Sequence, residues 1–308
     1  MKSTLISGAN GFLGKYLVDS HMRRNVTVCE LHRTQPDGVD NDFVVCDLAN
    51  SVPVISPGSV ARVIHTAGLA HDTKGDNYTP EDYFNTNVEG TKNLLKGLEL
   101  ASISVEHFVF ISSVSVYGLE TGEAISETSE LAGLSPYALS KIEAEKLLIQ
   151  WASKHDIPLL ILRLPLVVGA NPKGNMRKLQ WLSSLGINVR LVPDRARRNL
   201  VHAGDVAEYL STSFNGEGIY NLTDGHSYSF GEIYGFMNSA EESKFSLYVP
   251  ILILQFAAKV GDFLKRFNLG FPLNSRSMTK ITSTLTFDSN AAFENLDWKP
   301  ENLFERCK

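Results

Sequence analysis

Tyr137 and Lys141 are four residues apart in the segment YALSK, a spacing that places both side chains on one face of a helix. A tyrosine with an ordinary pKa of about 10 is a poor base at neutral pH. A lysine ammonium one turn away favours the phenolate and makes it a usable acid or base. Ser113 closes an apolar run earlier in the chain and has a hydroxyl that can hydrogen-bond a substrate oxygen. We therefore interpret Ser113, Tyr137 and Lys141 as catalytic residues.

Three glycines follow the first apolar run of the chain and precede an amphipathic segment. Glycine lets the backbone turn tightly and approach a pyrophosphate, and the helix that follows offers free N–H groups to the anion. The alternative is a strand-to-helix turn that only needs positive φ angles. The position of the three glycines directly after the first strand favours a dinucleotide site over this alternative. The predicted loop residues are Gly8, Asn10, Gly11, Phe12, Leu13 and Gly14.

The residues after the second strand should select between NAD and NADP. An acidic residue there binds the ribose hydroxyls of NAD, whereas an arginine suits the 2′-phosphate of NADP. The segment CELHR offers Glu30, His32 and Arg33. Arg33 with His32 favours NADP, and Glu30 would favour NAD if the strand ended early, so we prefer NADP and keep NAD open. Further cofactor contacts are expected where the third and fourth strands end, at Asp47, Leu48, Thr66, Ala67 and Gly68.

The order of elements that must position these residues is visible in the hydrophobic pattern. We expect strands at residues 4–7, 26–31, 43–45, 62–65, 107–112 and 159–162, and helices at 12–24, 80–100 and 137–155. This alternation predicts a Rossmann-type, doubly wound parallel α/β sheet. Residues 1–165 would form the NAD(P)-binding domain. Residues 166–308 would mostly form a smaller substrate-binding domain, with some segments returning to the sheet.

Shorter elements are expected in this second part. They are helices at 176–185, from Asp205 onwards and at 251–267, and a strand at 189–192.

Composition excludes several classes of protein. The chain has 308 residues, 43% of them hydrophobic and 20% charged, which is typical of a globular protein rather than a disordered or fibrous chain. A net charge of −5 argues against a general nucleic-acid binder. The longest apolar stretch, residues 249–260, is shorter than the roughly 20 residues of a membrane span. We therefore expect no nucleic-acid partner and no membrane partner.

The cysteines and histidines lack the spacing of metal ligands. Cys29, Cys46 and Cys307 leave an odd count, which is typical of a reducing cytoplasm. His65, His71 and His202 are interpreted as loop or hydrogen-bonded residues. We predict a cytoplasmic protein without a metal site.

Longer motifs add a resemblance to these residue-level arguments. They are the glycine loop, NVEGT at 87–91, SSVSVYG at 112–118, the Tyr137–Lys141 pair and RNLVHAGDVA at 198–207. With them the chain resembles the extended short-chain dehydrogenase/reductases, the nucleotide-sugar epimerase/dehydratase family, over nearly its whole length. The resemblance implies Asn87 near the cofactor, Ser113 as the catalytic hydroxyl, and Arg198 and Asn175 at the diphosphate of a nucleotide sugar. It also implies a homodimer.

Departures from the family pattern narrow the reaction. Dehydratases of this family carry an Asp-Glu pair directly after the catalytic hydroxyl, where this chain has Val114 and Ser115, so dehydration is not expected. Epimerases often have an asparagine where this chain has Leu166. Segments 172–175, 283–288 and 296–300 resemble a subgroup acting on UDP-N-acetyl amino sugars.

The resulting hypothesis is hydride transfer at C4 of a UDP-linked, N-acetyl amino sugar, in the form of a 4-keto-sugar reductase. The alternative is a UDP-sugar 4-epimerase with retained NAD. A remote alternative is a non-catalytic regulator that senses a dinucleotide. The retention of both Tyr137 and Lys141 argues against that last hypothesis.

Overall fold

The computed structural model describes residues 3–36, 38, 41–56, 60–70, 78–170, 187–212, 216–238, 245–265 and 275–306. The strands, in chain order, are β1 (Ser3–Ser7), β2 (Val28–His32), β3 (Asp42–Val45), β4 (Val60–His65), β5 (His107–Ser113), β6 (Gly122–Ile125), β7 (Leu159–Leu164), β8 (Leu166–Val168), β9 (Ile187–Val192), β10 (Arg198–His202), β11 (Gly218–Asn221), β12 (Ser227–Tyr228), β13 (Phe245–Pro250) and β14 (Leu285–Phe287).

The helices are numbered in the same way. They are α1 (Phe12–Arg23), α2 (Pro80–Phe84), α3 (Gly90–Leu100), α4 (Pro136–His155), α5 (Ala203–Ser211), α6 (Phe230–Asn238), α7 (Ile251–Lys265), α8 (Ser275–Thr282), α9 (Asn290–Asn295) and α10 (Leu303–Arg306). A π-helical turn (Asn85–Glu89) joins α2 to α3, and a 3₁₀ turn (Val114–Tyr117) follows β5.

Seven parallel strands form the main sheet, in the order β11-β7-β5-β4-β1-β2-β3. Ser7 of β1 lies opposite both Leu31 and His65, so the carboxyl ends of β1, β2 and β4 meet at one edge. Strand order reverses beside β1, which is where open α/β sheets bind their ligands. The predicted Rossmann-type, doubly wound α/β fold is confirmed.

Two hydrophobic cores cover the two faces of this sheet. On one face, Leu17 of α1 and Val206 of α5 pack against Ile6 and other strand residues. On the other, Leu94 of α3 and Leu148 of α4 pack with strand residues that include Leu5, Val63 and Phe108. Alternate residues of each strand therefore face different helices, which explains why the strands are apolar throughout.

The second half of the chain contributes to two further sheets. One has the order β12-β10-β14-β6, with β8 also paired to β10, and the other pairs β9 with β13. The same half also completes the main sheet, because β11 pairs with the outer edge of β7 and α5 packs on α1. The proposed domain division after residue 165 stays a prediction.

Several element boundaries differ from the sequence-based ones by one or two residues, as for the strand that begins at Ile187, the helix that begins at Ala203 and the strand that ends at Leu164. Strand β2 begins at Val28 rather than at residue 26, because Asn25 has a φ of 56° and turns the chain after α1. The helix expected at 80–100 is interrupted by the π-helical turn. The helix expected at 176–185, His71, Cys307 and the last two residues of the helix at 251–267 lie outside the described residues.

Candidate active site

The glycine loop joins β1 to α1 with no room for side chains. Gly8 has a φ of 73°, and a Cβ there would lie 2.7 Å from the backbone nitrogen of Ala67. A Cβ at Gly14 would overlap the carbonyl oxygen of Gly8 and lie 2.8 Å from Cα of Ala9. Among the described residues no side chain caps the first turn of α1 after Gly11. The backbone N–H groups of that first turn and the positive end of the helix dipole are therefore available to an anion.

The flanking loop residues differ in exposure. Asn10 is exposed, whereas Phe12 and Leu13 are half-buried and Leu13 packs against the core. Cofactor contacts by these residues stay predictions.

The acidic residue of β2 is engaged inside the protein. Glu30 is buried, and its two carboxylate oxygens lie 2.9 Å from Nε2 of His32 and 2.7 Å from Nδ2 of Asn41. Arg33, the residue after β2, is exposed. Sequence reasoning offered Glu30 as a ribose ligand, but missed Asn41, which reaches Glu30 only because β2 and β3 pair.

The ends of β3 and β4 are organised by short-range contacts. Asp47 accepts hydrogen bonds from Ala49 N (3.2 Å) and Asn50 Nδ2 (2.8 Å), and the side chain of Leu48 belongs to the core. Thr66 donates its hydroxyl proton to the carbonyl of Ser7 at 2.8 Å. This bond ties the end of β4 to the start of the glycine loop.

Asn87 fastens the loop after β4 to the helix that carries the Tyr–Lys pair. It lies in the π-helical turn and is buried. Its amide accepts from Leu69 N at 2.7 Å and donates to Leu69 O and to Ser140 Oγ, at 3.0 and 2.8 Å. A Cβ at Gly68 would lie 2.9 Å from Asn87 Oδ1 and 3.4 Å from Lys141 Nζ. The loop backbone therefore passes directly beside Lys141.

His65 is a neutral buried residue beneath this loop. Its two ring nitrogens lie 2.6 Å from Ser7 Oγ and 2.9 Å from Thr91 Oγ1. Burial, and secondarily the charge of Lys141, lowers the pKa of His65 to about 3. Its ring therefore acts as a fixed hydrogen-bonding spacer between β1 and α3.

The three predicted catalytic residues come together at the carboxyl end of β5. Ser135 caps α4 by accepting from Ala138 N at 3.2 Å, and Pro136 occupies the first turn, so Tyr137 is at the start of the helix. Tyr137 hydrogen-bonds Ser113, and its ring centroid is 6.2 Å from that of Tyr83. Burial raises the pKa of Tyr137, and the bond to Ser113 partly offsets this effect.

Lys141 is buried one turn further along α4. Its Nζ donates to the carbonyl oxygen of Ile111 at 2.9 Å and lies 4.5 Å from the centroid of the Phe110 ring. Burial lowers the pKa of Lys141 to about 8, and the carboxylate of Glu145 acts in the opposite direction. Because this pKa is close to neutral pH, small changes around Lys141 can change its protonation state.

Arg198 lies on β10 with a partly buried guanidinium. Among the described residues its Nε and Nη2 have no hydrogen-bond partner, although both atoms are shielded from solvent. Burial lowers the pKa of Arg198. A buried donor without an acceptor is costly, and an anionic ligand would supply one. Asn175, the other residue expected at a diphosphate, lies outside the described residues.

The comparison with known proteins decides the family. The model of the NAD dependent epimerase/dehydratase family matches residues 4–222. The chain belongs to this family. The resemblance inferred from the motifs is therefore confirmed, as is the prediction of an enzyme. The family is NAD dependent, so the prediction of a nicotinamide dinucleotide is confirmed at that level, and the preference for NADP stays a prediction.

Several relatives of this chain are named as 4-epimerases. The chain is 28% identical to the UDP-glucose 4-epimerase of Vibrio cholerae over 99% of its own length and 92% of the relative. It is 22% identical to the N-acetyl-alpha-D-glucosaminyl-diphospho-ditrans,octacis-undecaprenol 4-epimerase of Escherichia coli O157:H7, over 93% and 87% of the two chains. A solved UDP-glucuronic acid 4-epimerase from Bacillus cereus, in complex with NAD, has a similar fold, with a TM-score of 0.70, 20% identity and coverage of 98% and 95%.

Two structural features are missing from the described part of the chain. No helix there combines the length and apolar character needed to cross a membrane. No group of three His, Cys, Asp or Glu side chains there is arranged to hold a metal ion.

Proposed function

We propose that the enzyme interconverts a UDP-linked sugar and its C4 epimer, with NAD retained between the two half-reactions. The observation that carries the proposal is the hydrogen-bonded pair Ser113–Tyr137 beside buried Lys141. The glycine loop meets the same sheet edge, which supports a cofactor next to these side chains. Both curated relatives are 4-epimerases of sugars linked to a diphosphate, which favours epimerisation over the reduction expected from sequence.

The chain's residues would divide the reaction as follows. Tyr137 takes the proton of the 4-hydroxyl while Ser113 donates a hydrogen bond to the same oxygen. NAD, when bound at the glycine loop, would supply the acceptor and then the donor of the hydride at C4. Lys141 favours the phenolate by its charge. One C–H and one O–H bond break in the first half-reaction and both re-form in the second, so no external oxidant is consumed.

Arg198 and Asn175 are proposed to hold the diphosphate of the nucleotide sugar. The two unpartnered guanidinium nitrogens of Arg198 support this role, because a diphosphate would accept from both. The N-acetyl amino sugar as the preferred substrate is supported by the C-terminal sequence segments. The relative that acts on an N-acetylglucosaminyl diphosphate agrees with it.

A second candidate is the 4-keto-sugar reductase that uses NADPH. The engagement of Glu30 by His32 and Asn41 favours it, since this carboxylate is then not directed to a ribose. Arg33 is exposed directly after β2, which supports a contact with the 2′-phosphate of NADP. In this reaction Tyr137 would donate a proton to the sugar oxygen, and the cofactor would exchange after each turnover.

We also propose a cytoplasmic homodimer with the two domains 1–165 and 166–308. Exposed apolar side chains on the packed pair α2 and α4 support the dimer: Phe84, Leu139 and Ile149. Two buried free thiols, Cys29 and Cys46, support a reducing compartment.

The test starts with the nucleotide that the purified protein carries. The protein is denatured, and mass spectrometry identifies the released dinucleotide. Incubation with UDP-glucose or UDP-N-acetylglucosamine is followed by NMR. Stoichiometric NAD with formation of the 4-epimer supports the proposal. An empty protein that oxidises NADPH with a 4-keto sugar and forms no epimer supports the reductase.

Tyr137→Phe separates catalysis from binding. We expect kcat to fall about 100- to 10,000-fold with bound NAD unchanged. Tyr78→Phe is the matched control, because Tyr78 is exposed and outside the Ser113–Tyr137 contact, and it should keep full activity. Turnover of Tyr137→Phe at the wild-type rate would contradict both candidate reactions.

A further inference from the structure

A buried carboxylate lies one helical turn beyond Lys141. Glu145 is 1% exposed and accepts hydrogen bonds from Arg163, at 3.2 Å from Nε and 2.7 Å from Nη2, and from Ser112 Oγ. None of these side chains acts in the proposed reaction. A buried ion pair adds little net stability, because desolvation of both charges offsets their attraction. Its place directly behind the catalytic lysine therefore suggests a different role.

The end of β5 is bound to α4 through three consecutive strand residues. The carbonyl of Ile111 accepts from Lys141. The hydroxyl of Ser112 donates to Glu145. Ser113, the next residue, hydrogen-bonds Tyr137. These three contacts fix the rotation of α4 against the strand that carries Ser113. The contact made by Glu145 is the one furthest along α4.

We propose that Glu145 is a positioning residue whose carboxylate orients Lys141 and keeps it cationic while Tyr137 exchanges protons. This inference rests on the proposed function for the chemical role of Lys141 and Tyr137. The positioning itself concerns contacts within the protein.

The charged and titratable groups around Lys141 define the sign of the effect. On α4 itself, Glu145 one turn after Lys141 acts on its charge, and Tyr137 lies one turn before it. From β4, His65 interacts with it and is neutral above a pKa of about 3. Burial lowers the pKa of Lys141 to about 8 against the opposing effect of Glu145. Removal of the carboxylate should therefore lower the pKa of Lys141 further.

The charge of Arg163, which pairs with Glu145, should also lower the pKa of Lys141 once Glu145 is replaced. Arg163 on β7 is the ion-pair partner of Glu145, and the same guanidinium donates to Tyr117 Oη and to the Glu127 carbonyl, both at 3.1 Å. Substitution of Glu145 leaves the positive charge of Arg163 without its carboxylate. That charge also disfavours an ammonium at Lys141.

The experiment follows the ionisation of Lys141 directly. Holoenzyme is labelled with 13C-lysine, and the Cε resonance of Lys141 is assigned by its loss in Lys141→Met. In Glu145→Gln the titration midpoint of Lys141 should move down by about one pH unit. The alkaline limb of the pH profile of kcat should move with it. Glu145→Asp retains the charge and should restore most of both values.

The matched control is Glu143→Gln on the same helix. Glu143 is half exposed and pairs with Lys146 at 2.8 Å, so its loss removes the same charge at a solvated position. It should leave the Lys141 midpoint unchanged. If Glu145→Gln does not fold, Glu145→Gln combined with Arg163→Gln removes the unpaired guanidinium. The Lys141 midpoint should again move down because Glu145 is lost, but by less than in Glu145→Gln, because the opposing charge of Arg163 is lost as well.

The two proposals fail in different ways. A Lys141 midpoint that is unchanged in the folded Glu145 variants would overturn the positioning role. A midpoint that moves, in an enzyme that epimerises no UDP-sugar, supports the positioning role and rejects the proposed reaction.

Discussion

The partly buried guanidinium of Arg198 should lower the folding stability of the ligand-free protein and raise its affinity for a nucleotide. Its Nε and Nη2 are buried and have no hydrogen-bond partner among the described residues. Replacement by methionine keeps an unbranched apolar side chain and removes the buried donors. Arg198→Met should therefore raise stability and lower nucleotide affinity together, which few substitutions do.

The magnitudes come from hydrogen-bond energetics. A buried donor without a partner costs about 1–3 kcal/mol, and since methionine cannot refill the space perfectly, a net gain of about 1–2 kcal/mol is expected. For a chain of 308 residues that corresponds to a rise in Tm of about 1.5–3 °C. Charge-assisted hydrogen bonds contribute about 1.5–3 kcal/mol, so UDP should bind about 10- to 150-fold more weakly.

The assay combines thermal unfolding of the ligand-free protein with calorimetric titration of UDP. Arg197→Met is the control, because Arg197 is the neighbouring residue but its side chain is partly exposed and paired with Glu232 at 3.1 Å. A surface pair of this kind contributes about 0–1 kcal/mol, so Arg197→Met should change neither value much. An Arg198→Met protein that unfolds at a lower temperature and binds UDP as tightly as wild type would refute the reasoning.

Three further predictions follow from other parts of the site. Gly14→Ala should lower both Tm and NAD affinity because its Cβ has no space, whereas Gly235→Ala in α6, where a Cβ meets nothing within 4 Å, should be neutral or stabilising; equal Tm values for the two variants would contradict this. Arg33→Ala should weaken NADPH binding and leave NADH binding unchanged, as measured by quenching of protein fluorescence; an equal loss for both cofactors would show that Arg33 does not contact a 2′-phosphate. The pKa of His65 is lowered by burial from 6.5 to about 3, so the unfolded chain takes up a proton first and stability should fall as the pH drops below about 6.5, by up to about 1.4 kcal/mol per pH unit; urea unfolding of His65→Asn should show a shallower slope.

The parallel sheet and the neighbouring positions of the reactive side chains could be predicted from the sequence for a physical reason. Spacing along one helix fixes the relation of Tyr137 to Lys141, and the end of a strand fixes Ser113, so local rules suffice to bring the three together. In the structure Tyr137 hydrogen-bonds Ser113, and Lys141 donates to the carbonyl of Ile111 on the same strand. Their roles stay predictions.

What the sequence did not predict depends on contacts between distant segments. Asn41 reaches Glu30 through strand pairing, and Arg163 reaches Glu145 through the packing of α4 on the sheet. The spacing Tyr137, Lys141, Glu145 was visible, with each residue four after the last, and it was the one signal for the buried pair. The π-helical turn around Asn87 has no comparable signature.

The position of β11 has a consequence for the order in which the protein folds during synthesis. Until residue 221 has left the ribosome, the outer edge of β7 has no neighbour, and its backbone N–H and C=O groups are unpaired. The helix α5, which shields the α1 face, is also made late in the chain. A nascent chain that ends after β7 therefore carries an open apolar edge that invites pairing with another copy. The main sheet is therefore complete only after a segment more than fifty residues further along the chain has been synthesised.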